Sequence, residues 1–154
     1  MDPRVQALSR IAIFSGLASR SLERLAAIAS EEEHGGGAYV FREGDRGDKL
    51  YLILSGRIRI SREVSGMGEE ALAILEAGAC FGEMSLIDDS PRSADAKVHE
   101  RCKLLVISKE AMEDAIFLDK DLAYEILWNF VRTLSARLRE TNDKMTFLSM
   151  SGKF

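Results

Sequence analysis

The chain has 154 residues, 46% of them apolar and 30% charged, which is enough for one sizeable core and ordinary for a soluble globular protein. Its net charge of −4 gives no global sign of nucleic-acid binding, which a basic chain would carry. No apolar run approaches the ~18 residues of a membrane span, and the opening Met-Asp-Pro-Arg lacks the charged-then-apolar layout of a signal peptide.

The periodicity changes twice along the chain. Residues 1–30 read as N-terminal helices, with Val5, Leu8, Ile11 and Ile13 and then Leu22, Leu25, Ala26 and Ile28 at helical spacing. Ser19 stands where an N-cap of the second helix belongs. Residues 31–107 are punctuated by glycine, and between the glycines lie short runs rich in β-branched and aromatic residues. Tyr39-Val-Phe, Leu50-Tyr-Leu-Ile-Leu, Arg57-Ile-Arg-Ile, Ala71-Leu-Ala-Ile-Leu and Lys103-Leu-Leu-Val-Ile are expected strands. Many short strands broken by glycine point to a sandwich, roll or barrel. Cys80 and Cys102 fall in strand-like apolar segments and read as buried structural thiols, with the cytoplasm as the default address.

Residues 108–150 return to helix, with Ser108 a good N-cap. Leu127, Val131, Leu134, Leu138, Thr141, Met145 and Leu148 alternate in steps of four and three, a heptad seam that calls for a partner helix. Leu122, Ile126 and Phe130 form a second face for docking on the chain's own body. Thr141 is a polar interruption of the seam and needs a partner there.

Chemistry concentrates in residues 81–97, Phe-Gly-Glu-Met-Ser-Leu-Ile-Asp-Asp-Ser-Pro-Arg-Ser-Ala-Asp-Ala-Lys. A Gly-Glu pair opens a short apolar helical turn, and Arg92 follows Glu83 by nine positions, behind Pro91. A carboxylate to accept from a sugar hydroxyl, an arginine fork and free N–H groups at a helix start suit a small anionic sugar phosphate. The residue types alone equally allow an internal Glu83–Arg92 ion pair, a kind worth little on a surface. Metal-centred enzymes on similar rolls gather several histidines, whereas this chain has His34 and His99 with no His-x-His pair. The expectation is no metal and no enzyme.

Three blocks resemble the cyclic-nucleotide-binding domains, the family of the bacterial catabolite activator and of kinase regulatory subunits. They are Phe41-Arg-Glu-Gly-Asp through Gly56-Arg-Ile-Arg-Ile, the segment introduced by Gly78-Ala-Cys-Phe-Gly-Glu, and the helix carrying Ala136-Arg-Leu-Arg-Glu-Thr-Asn-Asp-Lys. The resemblance implies a mainly β fold, a jelly-roll-like β-roll with N-terminal helices and a long C-terminal dimer or lid helix. It also implies one domain over 1–154, with the roll at 31–107, a phosphate-binding cassette at 81–95 and helices over 108–150.

The implied ligand is a purine cyclic nucleotide, cyclic AMP before cyclic GMP. Gly82 would belong to the site, Glu83 would accept the ribose hydroxyl, and Arg92 would pair with the phosphate. Ser93 would donate its hydroxyl to the phosphate, or to a guanine in another orientation of the base, and the N–H groups of Met84 and Ser85 would complete the anion site. Ile60 and Leu72 would wall the base. Thr141, and Asn142 from a second subunit, would reach the purine. Asp95 stands where the family often has Thr or Ser, and it is expected to turn outward to Lys97 or Arg101. A homodimer through the C-terminal helix and an unknown effector protein are the implied partners, with no nucleic acid or membrane contacted by these residues. No helix-turn-helix follows the seam, so the chain is either a stand-alone sensor or part of a longer regulator. A ligand-free dimerisation scaffold is the alternative.

Overall fold

Two apolar runs, 50–53 and 104–107, set the architecture. Neither alternates with polar residues, and each is buried on both faces, as a central strand covered on two sides must be. Leu50, Leu52, Leu105 and Ile107 point into a core shared with the helices. Tyr51, Ile53, Leu104 and Val106 point into a second core inside the sheet. Burying each such side chain stabilises the fold by roughly 1.5–3 kcal/mol.

The computed structural model describes residues 2–151, with backbone alone at Ser85 and Ser151. In chain order the elements are α1 (Pro3–Ser9), a 3-10 turn (Ala12–Phe14), α2 (Ser19–Ile28), β1 (Ser30–His34), β2 (Tyr39–Phe41), β3 (Lys49–Val64), β4 (Gly68–Leu75), β5 (Cys80–Phe81), α3 (Ser85–Asp88), β6 (Asp95–Ser108), α4 (Lys109–Leu118) and α5 (Lys120–Ser151). The strands run β1-β6-β3-β4, with β2 also on β6 and β5 also on β3. Every pairing is antiparallel. This is the expected mainly β roll with helices at both chain ends.

The two strands expected at 50–54 and 57–60 are one strand. The β3–β6 register shifts on both sides of Gly56, which lies at φ +87°. A Cβ at Gly56 would stand 2.2 Å from the Arg101 carbonyl oxygen, so the crossing admits only glycine.

Val5, Leu8, Ile11, Ile13, Leu22, Leu25 and Ala26 close the helix-side core, as their spacing predicts. Ser108 caps α4, its hydroxyl accepting from the Ala111 N–H at 3.1 Å. Ser19 does not cap α2. It is the first helical residue, and Ala18 holds the cap position without a side-chain bond.

Helix α5 docks through Leu122, Ile126 and Phe130, all in the helix-side core. Asn129, buried among them, donates to the carbonyls of Ile13 at 3.1 Å and Ser15 at 2.8 Å, which pins α5 to the 3-10 turn. Beyond Phe130 the helix leaves the body. Leu138, Met145 and Leu148 expose more than half their surface, and nothing among the described residues covers that stretch of the seam. No helix of the described residues is long and apolar enough to cross a membrane.

Candidate functional site

A cavity of about 530 Å³ opens between β3, β4, residues 80–94 and α5, within the roughly 300–1,000 Å³ usual for small-molecule sites. Ile60, Ala73, Leu75 and Phe81 give it an apolar wall, and Gly82, Glu83, Met84, Arg92 and Ser93 a polar one. The segment 81–93 thus brings together most of the residues that the sequence singles out.

Gly82 sits at φ +81°, and a Cβ there would lie 2.6 Å from an Arg92 nitrogen and 3.2 Å from the Lys49 carbonyl oxygen. Glycine lets the chain pass close over the guanidinium and turn at once into α3. The N–H groups of Met84 and Ser85 stand at the start of that turn, before intrahelical acceptors exist. The Ser85 side chain lies outside what the structure describes.

Arg92 is 4% exposed. Its Nη1 donates to the Gly82 carbonyl at 3.1 Å and its Nη2 to that of Lys49 at 2.8 Å, while Nε is buried without a partner. The guanidinium carbon lies 4.2 Å from the centre of the Phe41 ring and 5.7 Å from that of Tyr51. Burial pulls the Arg92 guanidinium below its ordinary pKa, opposed by Tyr51, Asp48, Asp45 and Glu83. The Arg92 backbone is clamped as well. Its N–H donates to the Asp45 carbonyl at 2.8 Å, and its carbonyl accepts from Gly44 at 2.8 Å.

Glu83 is 7% exposed. It does not pair with Arg92. Its Oε1 accepts from Nη1 of Arg137, near the middle of α5, at 2.5 Å, so the helix is tied directly to the cavity floor. Sequence reasoning missed Arg137. The signal was present, since Arg137 lies one helical turn before Thr141 and shares its face.

Two expectations need correction. Leu72 is 52% exposed and lines no part of the cavity. Ile60 pairs with Ala73 and Ser61 with Ala71, so Leu72 is the extra residue of a bulge and turns outward. Ala73 and Leu75 take its place. Asp95 does not reach out to Lys97 or Arg101. It is buried, and its Oδ1 accepts from the Glu43 N–H at 2.7 Å, which fixes the turn that clamps Arg92.

Thr141 and Asn142 are exposed on α5 and do not line the cavity of this chain. Thr141 donates its hydroxyl back to the Arg137 carbonyl at 3.0 Å. Cys80 lines the cavity as a free thiol. Burial pushes its pKa well above the usual value, the Glu83 charge adds to this, and Arg137 opposes.

A family model described as the cyclic nucleotide-binding domain matches residues 31–119. The cyclic AMP receptor protein of Thermus thermophilus is 35% identical over 137 residues, covering 89% of this chain and 62% of that protein. A CRP-like cAMP-activated global transcriptional regulator of Mycobacterium tuberculosis is 30% identical over 141 residues, 92% of this chain and 61% of the relative. The chain therefore spans under two thirds of the length of these curated relatives. The crystal structure of the N-terminal domain of a transcriptional regulator from Streptomyces coelicolor is similar with a TM-score of 0.79 and 31% identity, over 90% of this chain and 94% of that one.

Proposed function

The chain belongs to the cyclic nucleotide-binding domain family, and from that membership we propose that its cavity takes a purine cyclic nucleotide, cyclic AMP before cyclic GMP. The observation that carries this reading is Arg92. Among the described residues it is a buried cation with no carboxylate at ion-pair distance and with an unpartnered Nε, in the wall of an open cavity. A buried charge without a counter-ion is costly, and a cyclic phosphate supplies the missing anion.

In this reading the phosphate lies against Arg92, Ser93 and the N–H groups of Met84 and Ser85. Glu83 accepts the ribose hydroxyl, and Ile60, Ala73 and Leu75 cover the base. Glu83 and the phosphate would repel each other without the guanidinium and the turn's N–H groups between them. Because Glu83 is held by Arg137, nucleotide entry must share or break that pair. Occupancy is then coupled to where α5 lies, since a ligand shifts only those equilibria for which it binds the two states differently. Paired through the α5 seam, the chain acts as a homodimeric, cytoplasmic regulatory module rather than an enzyme, and an effector protein or a further part of a longer regulator reads the helix.

Calorimetric titration with cyclic AMP and cyclic GMP, on wild type and Arg92→Ala, is the test. Hydrogen bonds to charged groups are each worth about 1.5–3 kcal/mol, so Arg92→Ala weakens binding by roughly tenfold to a hundredfold or more. Arg92→Lys restores little, since an ammonium cannot present a planar fork. Heatless titrations with both nucleotides favour the scaffold reading instead, which the exposed seam and the internally satisfied Glu83 support.

A further inference from the structure

Burying a guanidinium demands that something replace its water. Two carbonyls account for Nη1 and Nη2 of Arg92, but they leave its faces. The guanidinium lies over the rings of Phe41 and Tyr51, and Phe81 packs against both of those rings. Phe41 comes from β2, Tyr51 from β3 and Phe81 from β5. Tyr51 and Phe81 stack with centroids 5.1 Å apart and planes 12° from parallel. Phe41 tilts against both at 5.9 Å. The three rings brace one another, and Phe41 is the one that comes within 4.2 Å of the cation.

An aromatic face attracts a cation through its quadrupole, and the attraction grows where water is excluded. It also resists rotation of the guanidinium plane, because both groups are flat. We infer that Phe41 is a positioning residue for Arg92: its ring face, backed by Tyr51 and Phe81, holds the guanidinium in the orientation that receives an anion. The anion's identity as a cyclic phosphate rests on the nucleotide reading above; the hold on Arg92 does not. An ordinary cavity wall needs only apolar area at position 41. A pedestal needs a π face.

Phe41→Leu keeps the apolar area and removes the face, while Phe41→Tyr keeps both. Two readouts separate the possibilities. The first uses ligand-free protein and the Arg92 Nε–H resonance, identified by its loss in Arg92→Lys. In wild type and Phe41→Tyr the ring current shifts this resonance upfield. In Phe41→Leu it moves towards the position of a free arginine and exchanges faster with water. The second is cyclic AMP affinity, which Phe41→Leu lowers by about three- to tenfold and Phe41→Tyr leaves near wild type. If Phe41→Leu unfolds, Phe41→Met, which fills more of the same volume, takes its place. An unmoved resonance in the aliphatic variant overturns the inference, and so does equal loss of affinity in the tyrosine and aliphatic variants. If wild type binds no cyclic AMP, the nucleotide reading fails, and the resonance alone still decides the role of Phe41.

Discussion

Glu83 and Arg137, 54 positions apart in sequence, form an ion pair at 2.5 Å that joins the cavity floor to the projecting part of α5. The two partners are unequal. Glu83 is almost wholly buried, whereas Arg137 keeps about half its side-chain surface in water. The arginine can therefore leave at modest cost, while the carboxylate left behind needs another donor.

Arg137→Ala should loosen the projecting half of α5 without unfolding the body. Hydrogen–deuterium exchange of ligand-free protein is expected to speed up over residues 131–151 and to stay unchanged over β3 and β6. Arg139→Ala, on an exposed part of the same helix, is the control and should leave the pattern as in wild type. Equal exchange in both variants would count against the pair as a tether.

Asp95→Ala removes the acceptor of the Glu43 N–H. Leaving such a group unpaired costs about 1–3 kcal/mol, which thermal melting should register as a lower Tm. Asp95→Asn keeps an oxygen acceptor and recovers most of the loss. Because the same turn clamps the Arg92 backbone, the alanine variant should also bind cyclic AMP more weakly. An unchanged Tm would remove Asp95 from the account of the turn.

Leu138→Glu tests the seam. Leu138 is 61% exposed, so the body of the chain loses almost no packing. Two carboxylates facing each other across a parallel helix pair would be destabilising. Sedimentation velocity should show a dimer for wild type and a monomer for the variant. Equal sedimentation of the two proteins would argue against the seam as an interface.

Cys80 sets a pH dependence. An unfolded thiol titrates at about 8.5, and the folded one well above it, chiefly because its surroundings desolvate the thiolate. Between those two values the unfolded chain gives up a proton that the folded chain keeps. Stability is thus fully present below the unfolded pKa and falls as pH rises through the window. Cys102 is raised by burial too and acts in the same direction. Melting temperatures taken across alkaline pH should fall less steeply for Cys80→Ala than for wild type. Parallel slopes would exclude a contribution from Cys80.

The fold was legible where burial leaves a period. The helical spacing of Leu22, Leu25 and Ala26 points to the face that helix buries, and the unbroken apolar run at 50–53 to a strand. The candidate site was legible where chemistry and geometry coincide, at Gly82, Glu83 and Arg92, which all line the cavity. Leu72 escaped because a bulge shifts the alternation by one residue, and no local property of Ala71-Leu-Ala announces a bulge. Asp95 escaped because its partner is a backbone N–H at Glu43, 52 positions away, and backbone groups carry no sequence signature. Arg137 escaped because Thr141 and Asn142 drew attention one turn further along the same helix.

Asn129 fixes α5 to the body as a fulcrum would. From there to Ser151 the helix runs on for 22 residues, or about 33 Å at ~1.5 Å per residue. A tilt of about 10° at the fulcrum would sweep the far end through roughly 6 Å of travel, more than the strand spacing of a sheet. Arg137 stands eight residues beyond the fulcrum, about 12 Å along the axis, so a shift of about 2 Å where it meets Glu83 can in this way be read out as roughly three times that displacement at the far end.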